Sequence, residues 1–268
     1  NSTIVQLSSK GQVFGQANYK FSPGKTVQLD GFSVTDLDSH FDPIPGELPN
    51  PIKPLIARMN LAIADLNRSR SDDVWSEYKK RLPAFGTEIS CKNCHAEQSK
   101  FQSQMPHAAA FLTLVARNRE NSLDCLKCHS VGLGVVGGFT SMKDAIRAED
   151  GTPIRYHDVL AKSGLSKLSP EISYRKDWKL AAEHAAKWQK GLARAKAKYS
   201  FVNVQCESCH GTRPDHPFSN TAGKKVKAIA CMQCHTADQM PAWYDKSGKP
   251  LAEVMDAAVK KVSCPRMR

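Results

Sequence analysis

Aromatic residues make up only 7% of this 268-residue chain, so a core built from large rings alone is excluded. No apolar run approaches the roughly 18 residues that a membrane-spanning helix needs. Nor is the chain too polar or too charged to fold: 41% of it is hydrophobic and 24% charged. The 38 Lys and Arg outnumber the 26 Asp and Glu, for a formal charge of +12. Yet no aromatic interleaving or nucleic-acid fold signature accompanies the basic clusters, so nucleic acid is not an expected partner. No signal peptide is visible at Asn1, which reads as a mature or trimmed chain.

What the chain has in unusual supply is cysteine and histidine, nine of each. Eight cysteines fall into four copies of C-x-x-C-H: Cys91–His95, Cys125–His129, Cys206–His210 and Cys231–His235. This is the attachment signature of a c-type haem. Two thiols at this spacing add across the two vinyl groups of one porphyrin, and the adjacent histidine reaches the iron. Zinc would use the cysteine pairs but has no use for a histidine after every second cysteine. A dithiol redox centre needs one motif, not four. The expected cofactors are therefore four covalently bound haem c groups. They would be held by Cys91, Cys94, Cys125, Cys128, Cys206, Cys209, Cys231 and Cys234, with His95, His129, His210 and His235 as proximal iron ligands. Covalent haem attachment takes place outside the cytoplasm, so the chain is expected to be exported, to the periplasm or the cell surface.

Histidine on both faces of four irons requires eight, and five remain beyond the proximal set: His40, His107, His157, His184 and His216. His107 follows Met105-Pro106 and precedes small alanines, which let a flat macrocycle approach. His216 sits in a short loop rich in turn formers. His184 borders the apolar face of a long helical stretch, and His157 lies in Tyr156-His157-Asp158. These four are the expected distal ligands. His40 precedes all the motifs and would serve within this chain or in a neighbouring subunit. Methionine ligation stays open.

The fold class expected is a mainly α multihaem domain with few strands, preceded by a small β-rich segment. Three parts are read: residues 1–50, β-rich; 51–86, an amphipathic helix and linker; 87–268, the haem domain. Thr3–Leu7, Gln12–Phe21 and Thr26–Leu37 read as strands. Ile52, Leu55, Ile56, Met59, Ile63 and Leu66 fall at helical spacing, and that face is expected to pack on the haem domain. Further helices are expected over Glu97–Arg117, Ser141–Ala148, about Pro170–Tyr199 and Leu251–Val262. The glycines of Val131–Phe139 suggest a loop lying against a porphyrin. The motifs divide by spacing into two couples, first with second and third with fourth.

From Ser90 to Met240 the chain resembles the cytochrome c-554 type of tetrahaem protein. The residues carrying the resemblance are Cys91–His95 with Ala96-Glu97-Gln98, and Pro106-His107-Ala108. They continue with Cys125–His129 through Val131-Gly132-Leu133 to Gly137-Gly138-Phe139, and Val204–Gly211 followed by His216. The resemblance implies stacked haem pairs, distal roles for His107 and His216, and electron transfer; the family also includes proteins with one five-coordinate haem. This chain has no histidine after His235, so ligands that relatives supply from the C-terminal end must come here from His157, His184 or His40. A weaker resemblance covers Thr3–Leu66, which is similar to the end of a periplasmic 5′-nucleotidase-like metallophosphatase. The metal-binding motifs of that family are absent, so no phosphatase activity is expected, and the chain reads as part of a longer precursor.

Three functions follow as expectations. The leading one is an electron carrier rather than a catalyst, passing electrons along closely packed haems between periplasmic or extracellular redox partners, the positive charge favouring acidic ones. The second is a subunit that self-associates into a filament, with His40 ligating across subunits and the ninth cysteine, Cys264, joining them. The third is an enzyme with one five-coordinate iron acting on nitric oxide, nitrite or hydroxylamine, although the C-x-x-C-K motif of multihaem nitrite reductases is missing.

Overall fold

The structure, a computed structural model, describes residues 13–22, 24, 27–36, 53–69, 85–212 and 226–265. The chain forms two compact units, 1–54 and 55–268.

Among the described residues the first unit forms an antiparallel hairpin, β1 (Val13–Lys20) with β2 (Gln28–Asp36). It matches two of the three expected strands; Thr3–Leu7 lies outside the described residues. Alternation and the pairing of Ala17 with Phe32 and Tyr19 with Leu29 put these four and Val34 on one side, while Phe14 falls on the other. Gln16, Asn18 and Ser33 fall with Phe14. A register shift at Asn18/Tyr19 marks a bulge.

The second unit is mainly helical. It opens with α1 (Lys53–Ser69), as the periodicity predicts. The expected burial of its apolar face is not what the structure shows. Leu55, Ile56, Met59, Ile63 and Leu66 stay exposed, and α1 is anchored instead through buried Ala64 and an Asn67 amide that donates to the Asn121 carbonyl at 2.7 Å.

Two expected helices also differ. The stretch read as Glu97–Arg117 divides into α2-adjacent pieces: α2 (Thr87–Cys91) is followed by α3 (Ala96–Gln102), a 3₁₀ turn (Pro106–Ala109) and α4 (Ala110–Val115). Pro106 explains the break, because it holds Met105 extended at φ −95° and ψ 154°. Ser141–Ala148 is not helical. The Asp144 carboxylate accepts from the Ser141 and Thr140 amides, and Ile146–Arg147 forms a short strand, β3, against β4 (Tyr199–Ser200). Local side-chain capping and a distant strand outcompete helix propensity there.

The remaining elements are α5 (Leu123–His129), α6 (Tyr156–Ser163), α7 (Trp178–Arg194), α8 (Cys206–His210), α9 (Ala228–Met232), a 3₁₀ turn (Pro241–Trp243) and α10 (Ala252–Lys261). Helix α7 is shorter than its apolar pattern suggests because Asp177 caps it, accepting from the Leu180 amide at 2.8 Å. It lies closely on α6: a Cβ at Gly191 would stand 2.6 Å from the Val159 carbonyl oxygen.

Trp188, Phe111, Phe139 and Phe201 are fully buried at the centre of the core. Phe111 meets Trp188 and Tyr156 at 5.8 Å, and Phe139 stacks on Phe201 at 5.7 Å. Five of the chain's aromatics thus meet in one cluster. The glycines of the 131–139 loop serve this core. Gly132 lies against the Phe85 ring, and a Cβ on Gly138 would strike the Gly132 carbonyl. The loop closes on itself and on Phe85.

Candidate functional site

One extended segment, 199–205, positions the site. Phe201 bonds through its backbone to Ala145 and Val131, Asn203 donates its amide to the His129 carbonyl, and Val204 donates to the His107 carbonyl. Asn203 is buried in the left-handed region (φ 72°), and its side-chain oxygen accepts from the Phe111 amide at 2.8 Å. Asparagine tolerates that backbone angle. A single strand thereby links His107, the His129 turn and α8.

All four C-x-x-C-H sequences lie on helical turns. The amide of His95 bonds to the Cys91 carbonyl at 3.0 Å, and that of His235 to the Cys231 carbonyl at 2.9 Å. The second motif ends α5 and the third makes up α8. One turn puts cysteines three residues apart on the same face, which is the geometry that two thioether bonds to one porphyrin require.

The turns are gathered differently from their order in the sequence. The Cys206 thiol hydrogen-bonds to Cys91, which lowers the Cys91 pKa and raises that of Cys206. Cys128 and Cys234 are likewise in hydrogen-bond contact, and burial with that contact pushes Cys234 up to about 12. Cys209 lies within electrostatic range of Cys231 and of Cys264. First therefore meets third, second meets fourth, and third meets fourth. The expected neighbourhood of third and fourth is present, and the first motif lies against the third because strand β4 and the 201–205 segment return the chain so that α8 lies beside α2.

The histidines sort by burial. His129 donates its Nδ1–H to the Ala110 carbonyl at 2.7 Å. That bond fixes the tautomer and leaves Nε2 as the free donor atom, the arrangement usual for a metal-ligating histidine. His107 lies with its ring centre 6.1 Å from that of His235. Burial, then the charges of His235 and His129, lower its pKa to about 4. His235 also stacks on Trp243 at 4.8 Å. Its pKa is lowered by burial and by Arg175.

His184 is half-buried and its Nδ1 lies 2.7 Å from the Tyr174 hydroxyl. His157 is exposed on α6, against the Tyr156 ring and beside Asp158. His40 and His216 lie outside the described residues. The residues present fit a covalently bound haem: paired thiols on one turn, an adjacent imidazole, and in His129 an oriented ring nitrogen.

Sequence reading missed several residues here. Gln205, Glu207 and Glu88 surround the Cys91–Cys206 contact, and Trp243 covers His235. The only signal for the first two is that they flank or occupy a motif.

Among the described residues no helix is long and apolar enough to cross a membrane. Residues 90–151 and 157–211 match the family model described as cytochrome c554 and c-prime. That span contains the first three motifs and His107, while Cys231–His235 lies beyond it. No curated protein and no solved structure matches the chain.

Proposed function

Over residues 90–211 this chain belongs to the cytochrome c554 and c-prime family, and from that premise we propose that it is an exported tetrahaem electron carrier. It is a c-type cytochrome with covalently bound haem c. In our reading four haems are attached through Cys91/Cys94, Cys125/Cys128, Cys206/Cys209 and Cys231/Cys234, with His95, His129, His210 and His235 proximal. When bound, each haem supplies a one-electron ferric/ferrous couple.

The observation that carries this reading is the convergence of the four attachment turns, through Cys91 with Cys206, Cys128 with Cys234, and Cys209 with Cys231. The chain's own contribution is spacing and orientation. The 199–205 segment holds the second and third attachment turns and His107 in register, Gln205 reaches the first through the Glu88 amide, and the Ala110 carbonyl orients His129. His107 is assigned opposite His235, with His216, His184, His157 and His40 left to serve the other irons. Lys190, Arg194 and Lys196 stand exposed along and past the end of α7. They suit a docking partner of negative charge.

The test is the mass of the native protein together with a haem assay per chain. Four haems per polypeptide are expected. A mass accounted for by amino acids alone would end the proposal.

A further inference from the structure

Thr87 is a β-branched residue in the left-handed region, at φ 56°, and is fully buried. Such a residue persists only where its surroundings over-determine it. Three successive amides supply the restraint. Gly86 donates to Glu207 Oε1 at 3.1 Å, Thr87 donates to Glu207 Oε2 at 2.9 Å, and Glu88 donates to Gln205 Oε1 at 2.7 Å. The acceptors are themselves fixed. Gln205 donates its side-chain amide to the Ser200 and Val202 carbonyls and forms a capping box with Ser208.

Position makes this arrangement more than a loop anchor. Glu207 stands between Cys206 and Cys209, inside the third attachment turn. Gly86 caps and Thr87–Glu88 open α2, which ends at Cys91, in the first. The carboxylate therefore joins the two turns whose cysteines meet. Burial raises the Glu207 pKa, and the Thr87 and Gly86 amides oppose that rise. No acidic residue is needed at this place for thioether formation, which uses only the two cysteines.

We propose that Glu207 is a positioning residue that clasps the first attachment turn to the third, so that it sets the distance and tilt between the haems carried at Cys91/Cys94 and Cys206/Cys209. The inference rests on the haem attachment proposed above. Glu207 contacts no reacting atom in this role; it acts through the backbone of Gly86 and Thr87.

The experiment compares the native holoprotein with Glu207→Gln, which keeps the shape of the side chain but turns an NH₂ group toward one of the two amides. Haem content of the variant is expected to stay at the native value. Hydrogen exchange at the Gly86, Thr87 and Glu88 amides is expected to quicken about tenfold, the factor equivalent to roughly 1.4 kcal/mol for one lost charge-assisted hydrogen bond. The bisignate Soret circular dichroism of coupled haems is expected to lose amplitude, since it depends on their distance and tilt.

Unchanged Soret dichroism in a fully loaded variant overturns the inference, whatever the exchange rates do. If Glu207→Gln takes up less haem, Glu207→Asp decides. It keeps the charge and reaches one amide, so an intermediate Soret amplitude supports the clasp and a native one overturns it. A native protein without covalent haem is a separate result, which defeats the proposed function rather than the clasp.

Discussion

The imidazole centres of His107 and His235 stand 6.1 Å apart, with the ring planes at 63°. The two rings are brought together although 128 positions of chain numbering separate 107 from 235. Replacing His107 with alanine is expected to convert one haem from low to high spin while all four stay attached. Electron paramagnetic resonance reads this directly, and an unaltered low-spin spectrum would remove His107 from the ligand set.

Glu88 is buried, and burial raises its pKa above 4.5, against the opposing effects of Lys92 and a hydrogen bond from Gln189. A carboxyl with a raised folded pKa binds its proton more tightly in the folded state. Its stabilising share is complete below pH 4.5 and is lost as pH rises through the folded value. Glu88→Gln should thus raise the melting temperature at neutral pH and gain little near pH 4. Melting curves at the two pH values test the sign; a larger gain in acid would contradict it.

Asp144 and Arg147 form an ion pair at 3.3 Å, with side chains only 6% and 10% exposed. Arg147 also donates to the Gly138 carbonyl and lies over the Phe201 ring. Arg147→Met leaves the buried Asp144 carboxylate without its counter-ion and is expected to cost about 3 kcal/mol. A double replacement of both residues by apolar ones should cost less. Chemical denaturation of the two variants provides the comparison.

Gly191 lies where α7 crosses α6, and a Cβ there would fall 1.9 Å from Ser163 Oγ as well as against the Val159 carbonyl. Backbone cannot yield as a side-chain end can. Gly191→Ala is expected to destabilise the protein by about 1–3 kcal/mol through forced separation of the helices. Calorimetry on the variant checks this, and a melting temperature equal to the native one would show that the contact has slack.

Some of this was legible from local pattern. The hairpin follows from alternation and turn residues, α1 from apolar spacing, and α10 likewise, each within a residue or two of the expected bounds at most ends. The break at Pro106 and the loss of the Ser141–Ala148 helix were not read, although the proline itself was visible. In the second case the deciding partners, β4 and the Asp144 side chain, act through contacts that apolar spacing does not encode.

What the amino-acid order alone determined is the chemistry of each attachment turn, because two cysteines and a histidine at C-x-x-C-H spacing act within one helical turn. What only the tertiary structure decided is their company. Cys91 meets Cys206 rather than the second motif, His107 reaches His235, and Glu207 holds the Thr87 backbone. These contacts join residues far apart in the chain. They exist because the 199–205 segment returns through the core, and no periodicity in the sequence records that return.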